Sequence, residues 1–181
     1  RGEKMEKQAA PGLARWQSEE VLERHPQSFT RIRFQDCDPF GHLNNGRYMD
    51  YFINAREEHL RDFYGFDIYE GRFAEKNWVV RSSSVSHLSP ARNNQRVLIR
   101  TSMLNFSKSS IVIEYVMLAE DESRILASAW SDFRYFEIPT GRPSRHETEL
   151  LSFFQKVSLG IDFSFNDEKA RLNALRAASA A

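Results

Sequence analysis

The stretch Gln35-Asp-Cys-Asp-Pro-Phe-Gly-His-Leu-Asn-Asn45 separates two parts of the chain in which apolar residues recur with different periods. Before it, Ile32 and Phe34 alternate with arginines at the two-residue spacing of a half-buried strand, which we expect to begin at Phe29. The stretch itself consists of turn formers and helix-capping residues. After it, apolar residues recur every three or four positions, which is typical of one face of a helix. A strand, a turn and a helix are therefore predicted in succession.

The predicted helix is followed by a predicted sheet. The apolar face of the helix consists of Tyr48, Tyr51, Phe52, Ala55, His59, Leu60 and Phe63. Either Asn44 or Asn45 would cap the helix, and Gly65 would end it. Runs of β-branched and aromatic residues follow at 78–88, 96–106, 110–119 and 124–138. The breaks between these runs are too short for crossover helices, so we expect the four strands to meander antiparallel.

This order of elements predicts an α+β fold. One long helix and the sheet that follows it must bury two apolar faces together, and a curved antiparallel sheet of about five strands wrapped around the central helix does so economically. We expect this domain at residues 29–161, with a short amphipathic helix at 147–159. Residues 1–28 would form an N-terminal extension in which Trp16, Val21 and Leu22 form one face of a short helix, and 162–181 a helical tail without a clear apolar face.

Composition excludes several classes of protein. Of 181 residues, 41% are hydrophobic, and 14 Phe, 6 Tyr and 3 Trp supply ample surface for a core. The 25 basic and 25 acidic side chains cancel, so no overall field favours nucleic acid or an anionic membrane as a partner. No apolar run approaches the ~20 residues of a membrane-spanning helix, and the first ten residues lack the apolar core of a signal peptide. With a single cysteine, Cys37, the chain is expected to be cytoplasmic.

Reactive side chains are densest between the first strand and the helix. They are Asp36, Cys37, Asp38, His42, Asn44 and Asn45. The N-terminus of a helix has unpaired N–H groups and a partial positive charge, which can stabilise an oxyanion. A nearby carboxylate can attack a carbonyl or activate a water, although Asp and Asn before a helix are also ordinary caps. The spacing fits no standard metal site and sets no partner base for Cys37.

This stretch, together with Asp50-Tyr-Phe-x-x-Ala-Arg-x-Glu58, resembles the signature of the 4-hydroxybenzoyl-CoA thioesterase-like proteins, which are hotdog-fold acyl-CoA thioesterases. Ser89-Pro-Ala, Ser109-Ser110 and Thr140-Gly-Arg-Pro143 match in the same order, so the resemblance covers about 29–158. It implies a hotdog fold and hydrolysis of an acyl-CoA. It also implies Asp38 as general base or nucleophile and the backbone N–H of Asn45 as oxyanion donor.

The resemblance further implies substrate-binding residues and excludes a related activity. His42, Asn44 and Tyr48 belong to the His-x-Asn-Asn-x-x-Tyr pattern of acyl-CoA and acyl-carrier-protein thioesterases, and are expected at the substrate. The 4-hydroxybenzoyl enzyme has bulkier residues at 42, 44 and 45, so a fatty or small acyl group fits at least as well as an aromatic one. Hydratases of this fold pair an Asp with a His five residues later, a spacing that neither Asp36 nor Asp38 has.

A basic stretch points to the nucleotide of coenzyme A. Between Lys76 and Ile113 the sequence contains no Asp or Glu. Its basic residues are Lys76, Arg81, Arg92, Arg96, Arg100 and Lys108. Such groups at strand turns can bind phosphates, for which we single out Arg92 and Lys108. A solvated sheet edge has the same composition and remains the alternative.

The combined prediction is an acyl-CoA thioesterase that needs neither a metal nor a redox cofactor. Two alternatives are a hotdog module that binds acyl-CoA or another acyl ligand without turnover, and an acyl-carrier-protein thioesterase. A five-stranded sheet around one helix leaves an open edge and an uncovered face, so we expect a homodimer or homotetramer. Asp38 of one chain would then face strand residues of its partner.

Overall fold

The two periodicities of the sequence form a sheet and a central helix in a computed structural model that describes residues 14–69 and 71–179. The helices are α1 (Tyr48–Tyr64), α2 (Thr148–Val157) and α3 (Glu168–Ser179). The strands are β1 (Gln27–Arg31), β2 (Lys76–His87), β3 (Arg96–Phe106), β4 (Ser110–Ala119), β5 (Ile125–Glu137) and β6 (Arg142–Pro143). All pairs are antiparallel in the order β1-β3-β4-β5-β2, with β6 on β5. The predicted α+β architecture is confirmed.

Helix α1 lies against the concave face of the sheet. Its buried residues are Tyr48, Phe52, Ala55, Arg56, His59 and Tyr64. As predicted, Gly65 ends the helix in the left-handed conformation (φ 60°), and its N–H donates to the carbonyl of Arg61. A Cβ at Gly65 would lie 3.5 Å from the backbone nitrogen of Arg15, so the N-terminal segment also packs closely on this turn. Helix α2 covers the concave face further along and completes the main core.

The convex face of the sheet is covered by the C-terminal segment. A small apolar cluster on this face consists of Leu98, Val116, Leu118 and Ile125, and Leu175 of α3 packs against it. Phe163 stacks on Trp130 with ring centroids 5.3 Å apart. The sequence showed no clear apolar face on this helix, because its contact with the sheet rests on one leucine and one ion pair. In that pair, Arg171 Nε and Nη2 each lie 2.7 Å from the buried Glu114 carboxylate.

The four long strands follow their predicted ranges within two residues, but the predicted meander is wrong for β2. Strands β3, β4 and β5 meander, whereas β2 pairs with β5 instead of with β3. The connection from His87 to Arg96 therefore crosses the end of the sheet past two intervening strands, a span of roughly 15 Å. Backbone bonds fix this connection, since Leu43 N–H donates to Ala91 O and Ile32 N–H donates to Gln95 O.

Two predictions for the N-terminal part of the chain are also wrong. The first strand ends at Arg31, and Phe34 lies in a 3-10 turn with 82% of its surface exposed, because the turn formers after it already bend the chain. The predicted N-terminal helix is a single 3-10 turn, Arg15–Gln17. Trp16 and Leu22 are buried as expected, whereas Val21 is fully exposed. Residues 1–13 of the predicted extension lie outside the described residues.

No helix in the described part of the chain is long and apolar enough to cross a membrane.

A buried histidine connects α1 to two strands. His59 Nδ1 lies 2.8 Å from Thr101 Oγ1 on β3, and Nε2 lies 2.9 Å from Ser28 Oγ on β1. Burial lowers the pKa of His59 from 6.5 to about 4, and the neighbouring Arg56 adds to the decrease. The folded protein therefore holds this imidazole neutral under conditions in which the unfolded chain would protonate it.

We predict that His59 makes the fold acid-sensitive. Stability is fully present above pH 6.5 and is lost as the pH falls from 6.5 towards 4, because the unfolded state binds the proton more tightly. At pH 5 the loss amounts to about 2 kcal/mol, at about 1.4 kcal/mol per pH unit. Denaturant unfolding followed by tryptophan fluorescence at pH 7 and pH 5 measures it.

The control is His59→Gln, whose amide can still bond to both hydroxyls but does not titrate. Its stability should fall less between pH 7 and pH 5 than that of the wild type. Some slope remains, because burial also lowers the pKa of His25, His87 and His146. An equal fall in both proteins would assign the acid sensitivity to groups other than His59.

Candidate active site

The predicted site is a narrow hairpin that leads into α1. The N–H of Asp38 donates to the carbonyl of His42 (2.8 Å), and the N–H of Asn44 donates to the carbonyl of Asp36 (2.9 Å). Gly41, with φ 73°, forms the tip. Pro39 and a glycine in the left-handed conformation thus make a tight turn, as the turn formers of the sequence predicted. We call residues 36–44 the site hairpin.

Asp36, the first aspartate of the hairpin, has a structural role. Its Oδ2 accepts a hydrogen bond of 2.7 Å from the hydroxyl of Tyr51 on α1. The same hydroxyl accepts a bond of 2.9 Å from the N–H of Arg33. Burial raises the pKa of Tyr51 to about 12, so it remains a donor throughout the neutral range. This bond holds the hairpin against the first turns of α1.

The second aspartate, Asp38, has one carboxylate oxygen engaged and one not. Its Oδ1 accepts the backbone N–H groups of Phe40 (2.9 Å) and His42 (3.1 Å). Among the described residues, Oδ2 has no hydrogen-bond partner. The carboxylate is half-buried. One oxygen therefore fixes the orientation of the group and the other can react.

The start of α1 has an unused backbone donor. The side chain of Asn44 caps the helix by accepting a 2.9 Å bond from the N–H of Gly46, so of the two predicted caps Asn44 is the one used. Asn45–Arg47 form a 3-10 turn that continues into α1. Within the described chain the N–H of Asn45 has no acceptor. This donor lies at the positive end of the helix dipole.

The remaining predicted residues lie in different places. The backbones of His42 and Arg92 form an antiparallel bridge, so both belong to the hairpin region. Tyr48 is buried: its hydroxyl accepts the N–H of Ala91 (3.2 Å) and its ring packs edge-on against His87. The structure thus places Tyr48 in the core beside the hairpin, and its role at the substrate stays a prediction.

Lys108 does not lie with the other predicted residues. It occupies the turn between β3 and β4, at the opposite end of the sheet from Arg92. The 11 residues of β3 separate the two ends, a distance of roughly 35 Å at the usual rise of a strand. One ligand on one protomer therefore cannot contact both side chains at close range.

Most of the basic stretch is neutralised locally. Four of its six cations pair with carboxylates: Lys76 with Glu147, Arg81 with Asp132, Arg96 with Glu120 and Arg100 with Glu122. Arg92 and Lys108, both exposed, have no carboxylate partner among the described residues. These two cations are therefore the ones that can accept an external phosphate.

An apolar cavity of about 230 Å³ lies between α1, α2 and the concave face of the sheet. Its wall includes Leu60, Trp78, Met103, Phe133, Phe154 and the side chain of Arg56. Ile53 and Val80, each about half exposed, border it on the solvent side. Sequence analysis missed this cavity, because its wall combines residues that are distant along the chain and that each read as ordinary core.

Two other chemistries, a cysteine nucleophile and a bound metal ion, find little support at the site. Burial first, and then the flanking aspartates, raise the pKa of the Cys37 thiol, which keeps it protonated at neutral pH. The described residues contain no group of three or more His, Cys, Asp or Glu side chains arranged to hold a metal ion.

The chain belongs to the thioesterase-like superfamily, whose family model matches residues 32–154. The long-chain acyl-CoA thioesterase FadM of Escherichia coli K12 is 22% identical over 132 residues, which are 72% of this chain and 98% of the relative. The predicted hotdog family and thioester hydrolase class are thereby confirmed.

Solved structures share the fold. YbaW, a probable thioesterase from Escherichia coli, superposes with a TM-score of 0.63 at 22% identity, covering 72% of this chain and 97% of that one. The PA5185 protein of Pseudomonas aeruginosa superposes with a TM-score of 0.64 at 24% identity, covering 82% and 98%.

Proposed function

We propose that this protein hydrolyses acyl-CoA thioesters, with Asp38 as the reacting carboxylate and the N–H of Asn45 as the oxyanion donor. The observation that carries the proposal is the hydrogen bonding of the Asp38 carboxylate. Two backbone N–H groups donate to Oδ1, whereas no described group donates to Oδ2. Membership of the thioesterase-like superfamily and the similarity to a relative named as a long-chain acyl-CoA thioesterase support the choice of substrate.

Two routes are compatible with this arrangement. As a nucleophile, Asp38 Oδ2 attacks the thioester carbon and expels the CoA thiolate; water then hydrolyses the resulting anhydride and restores the carboxylate. As a general base, Oδ2 takes a proton from a water whose oxygen attacks the same carbon, and passes that proton to the departing thiolate. In both routes the carbonyl oxygen becomes negative. The Asn45 N–H and the helix dipole stabilise it, by about 3 kcal/mol for one such donor.

The proposed function includes a homodimer formed through β2. This strand has 12 residues and, among the described strands, pairs on one side only, with β5. Its His87 end contacts Tyr48 at the start of α1, whereas Trp78 and Val80 near its other end border the apolar cavity. Antiparallel pairing of two β2 strands about a two-fold axis therefore brings Asp38 of the partner subunit towards the cavity. The cavity would receive the acyl chain.

The same pairing places two cations where they can bind the coenzyme A nucleotide. Arg92 lies beside the site hairpin, and its charge is not neutralised by a described carboxylate. In antiparallel β2 pairing, Lys108 of the partner subunit lies at the same end of the joined sheet as Arg92. We propose that these two cations bind phosphates of the nucleotide from opposite subunits. A cytoplasmic location, supported by the single cysteine, is part of the same proposal.

Asp38→Asn should remove most hydrolysis while leaving the fold intact. The amide keeps the volume and the Oδ1 acceptor for both N–H groups but is a far poorer base or nucleophile, so we expect a loss of kcat of at least 10²-fold. Thiol release from a panel of acyl-CoAs measures it.

The matched control is Asp36→Asn, which affects the bond to Tyr51 and should reduce stability more than turnover. An essential Asp36 and a dispensable Asp38, with both variants folded, would contradict the assignment. Binding of acyl-CoA by the wild type without any release of thiol would favour the non-catalytic module instead.

Arg92→Glu should weaken the hydrolysis of acyl-CoA more than that of a short acyl thioester without the nucleotide. We expect KM for acyl-CoA to rise several-fold, and the difference to shrink at high salt because exposed charges are screened. Lys108→Glu should act in the same direction. Lys169→Glu, on the exposed side of α3, is the control and should leave both substrates unaffected. Equal effects of Arg92→Glu on the two substrates would show that Arg92 serves the structure of the sheet and does not bind the phosphates.

Light scattering should find a dimer or a larger even-numbered oligomer of the 21.1 kDa chain. If the site is shared between subunits, specific activity should also fall on dilution to concentrations at which the dimer dissociates. An active monomer of 21.1 kDa would contradict the shared site.

A further inference from the structure

One buried cation has no role in the chemistry described above. Arg56 lies on the inner face of α1 with 9% of its surface exposed, and its side chain lines the apolar cavity. No carboxylate among the described residues pairs with it. The adjacent Glu57, which also lines the cavity, pairs with Arg61 at 2.8 Å. By contrast, the buried carboxylates of Glu114 and Asp132 pair with Arg171 and Arg81.

The surroundings of Arg56 leave its charge largely uncompensated. Burial raises the pKa of both Tyr64 and Tyr115, and Arg56 opposes the rise in each, so the guanidinium lies close to these two hydroxyls. Its clearest polar neighbour is the hydroxyl of Tyr64, which can accept only a small part of its five N–H donors. A buried charge without a counter-ion costs several kcal/mol. A hydrocarbon chain alone in the cavity would leave that cost in place.

An anionic group in the cavity would remove this cost. The guanidinium fork matches a carboxylate in two parallel hydrogen bonds, and such bonds are strongest where water is excluded. Apart from Arg56, the ion-paired Glu57 and Asn77, the wall is apolar and aromatic, which fits methylene groups. The site therefore suits a ligand with an apolar body and a carboxylate at its inner end.

We propose that the cavity selects acyl chains that end in a carboxylate, so that the preferred substrates are CoA monothioesters of straight-chain dicarboxylic acids, with Arg56 binding the distal carboxylate. This inference rests on the proposed acyl-CoA hydrolysis and specifies its acyl group. A methyl-ended chain of the same length fills the same space but leaves Arg56 without an anion. A terminal hydroxyl offers an acceptor but no charge.

Hydrolysis of matched substrates tests the inference. Two series of increasing chain length are compared: CoA thioesters with a terminal carboxylate, and thioesters of the same length with a terminal methyl group. With the wild type, kcat/KM for the best carboxylate-ended substrate should exceed that of its methyl-ended match by roughly tenfold to a hundredfold, as one or two charge-assisted hydrogen bonds supply. Equal rates, or a preference for methyl-ended chains, would overturn the inference.

Two variants of Arg56 show whether the preference comes from this residue. Arg56→Met replaces the buried charge with an apolar side chain of similar length, a change that buried sites tolerate well, and it should abolish or reverse the preference. Arg56→Lys keeps the charge without the fork and should keep part of the preference. Arg176→Met, at an exposed position of α3 on the other face of the sheet, is the control and should behave like the wild type. A preference unchanged in Arg56→Met would also overturn the inference.

A binding measurement separates this inference from the proposed function. Trp78 lines the cavity, so its fluorescence should respond when the cavity is filled. Non-hydrolysable thioether analogues of the two substrate series are titrated against the wild type and Arg56→Met. If the wild type hydrolyses no thioester but binds the carboxylate-ended analogue more tightly, and Arg56→Met does not, the proposed function fails and the inference stands. Equal binding of both analogues by the wild type overturns the inference whatever the activity.

Discussion

Helix α1 is buried along one side against the concave face of the sheet, and this contact removes several polar side chains from water. Each of them needs a partner inside the protein. Tyr48 has the N–H of Ala91, and His59 has the hydroxyls of Thr101 and Ser28. The first of these bonds holds the start of the helix against the β2–β3 connection, and the others hold its middle against β1 and β3. These bonds also fix the position of the site hairpin, because the hairpin is joined directly to the helix.

The two aspartates of the site hairpin lie in one short turn, but their carboxylates make different contacts. Asp36 and Asn44 have the roles expected of structural residues, a bond to Tyr51 and a cap on Gly46. Asp38 also accepts backbone N–H groups, as an Asx turn does, but with one oxygen only. The local pattern could not separate these readings, since either aspartate before a helix is a plausible cap. The structural role of Asp36 is distinguished from that of Asp38 by Tyr51, whose hydroxyl bonds to Asp36 where the helix packs against the hairpin.

The elements predicted correctly depend on local information. The long helix follows from a spacing of three and four residues, its end from Gly65, and the strands 96–106 and 110–119 from runs of β-branched and aromatic residues and from the turn between them. The pairing of β2 with β5 depends on where a connection of eight residues goes, and nothing local specifies that. The cavity and the burial of Arg56 likewise depend on the spacing between α1, α2 and the sheet. In the sequence, Arg56 belongs to the motif Asp50-Tyr-Phe-x-x-Ala-Arg-x-Glu58, but nothing in the motif indicates that its side chain is buried beside a cavity.

The C-terminal segment bears on how the protein can assemble. It lies beyond residue 154, where the superfamily match ends, and it covers the convex face of the sheet with Leu175, Phe163 and the ion pair between Arg171 and Glu114. A sheet that was bare on this face would expose a contiguous apolar patch, and such patches promote association. Because this chain covers that face itself, contact between two such faces cannot drive assembly while the segment stays in place. In the dimer that we propose, association uses the long edge of β2, which no described strand pairs, whereas the other edge strand, β1, has only five residues and is flanked by a polar groove. The intramolecular contact of α3 thus disfavours the stacking of sheets relative to the edge-to-edge dimer that we propose, which would bring the site hairpin of one subunit towards the cavity of the other.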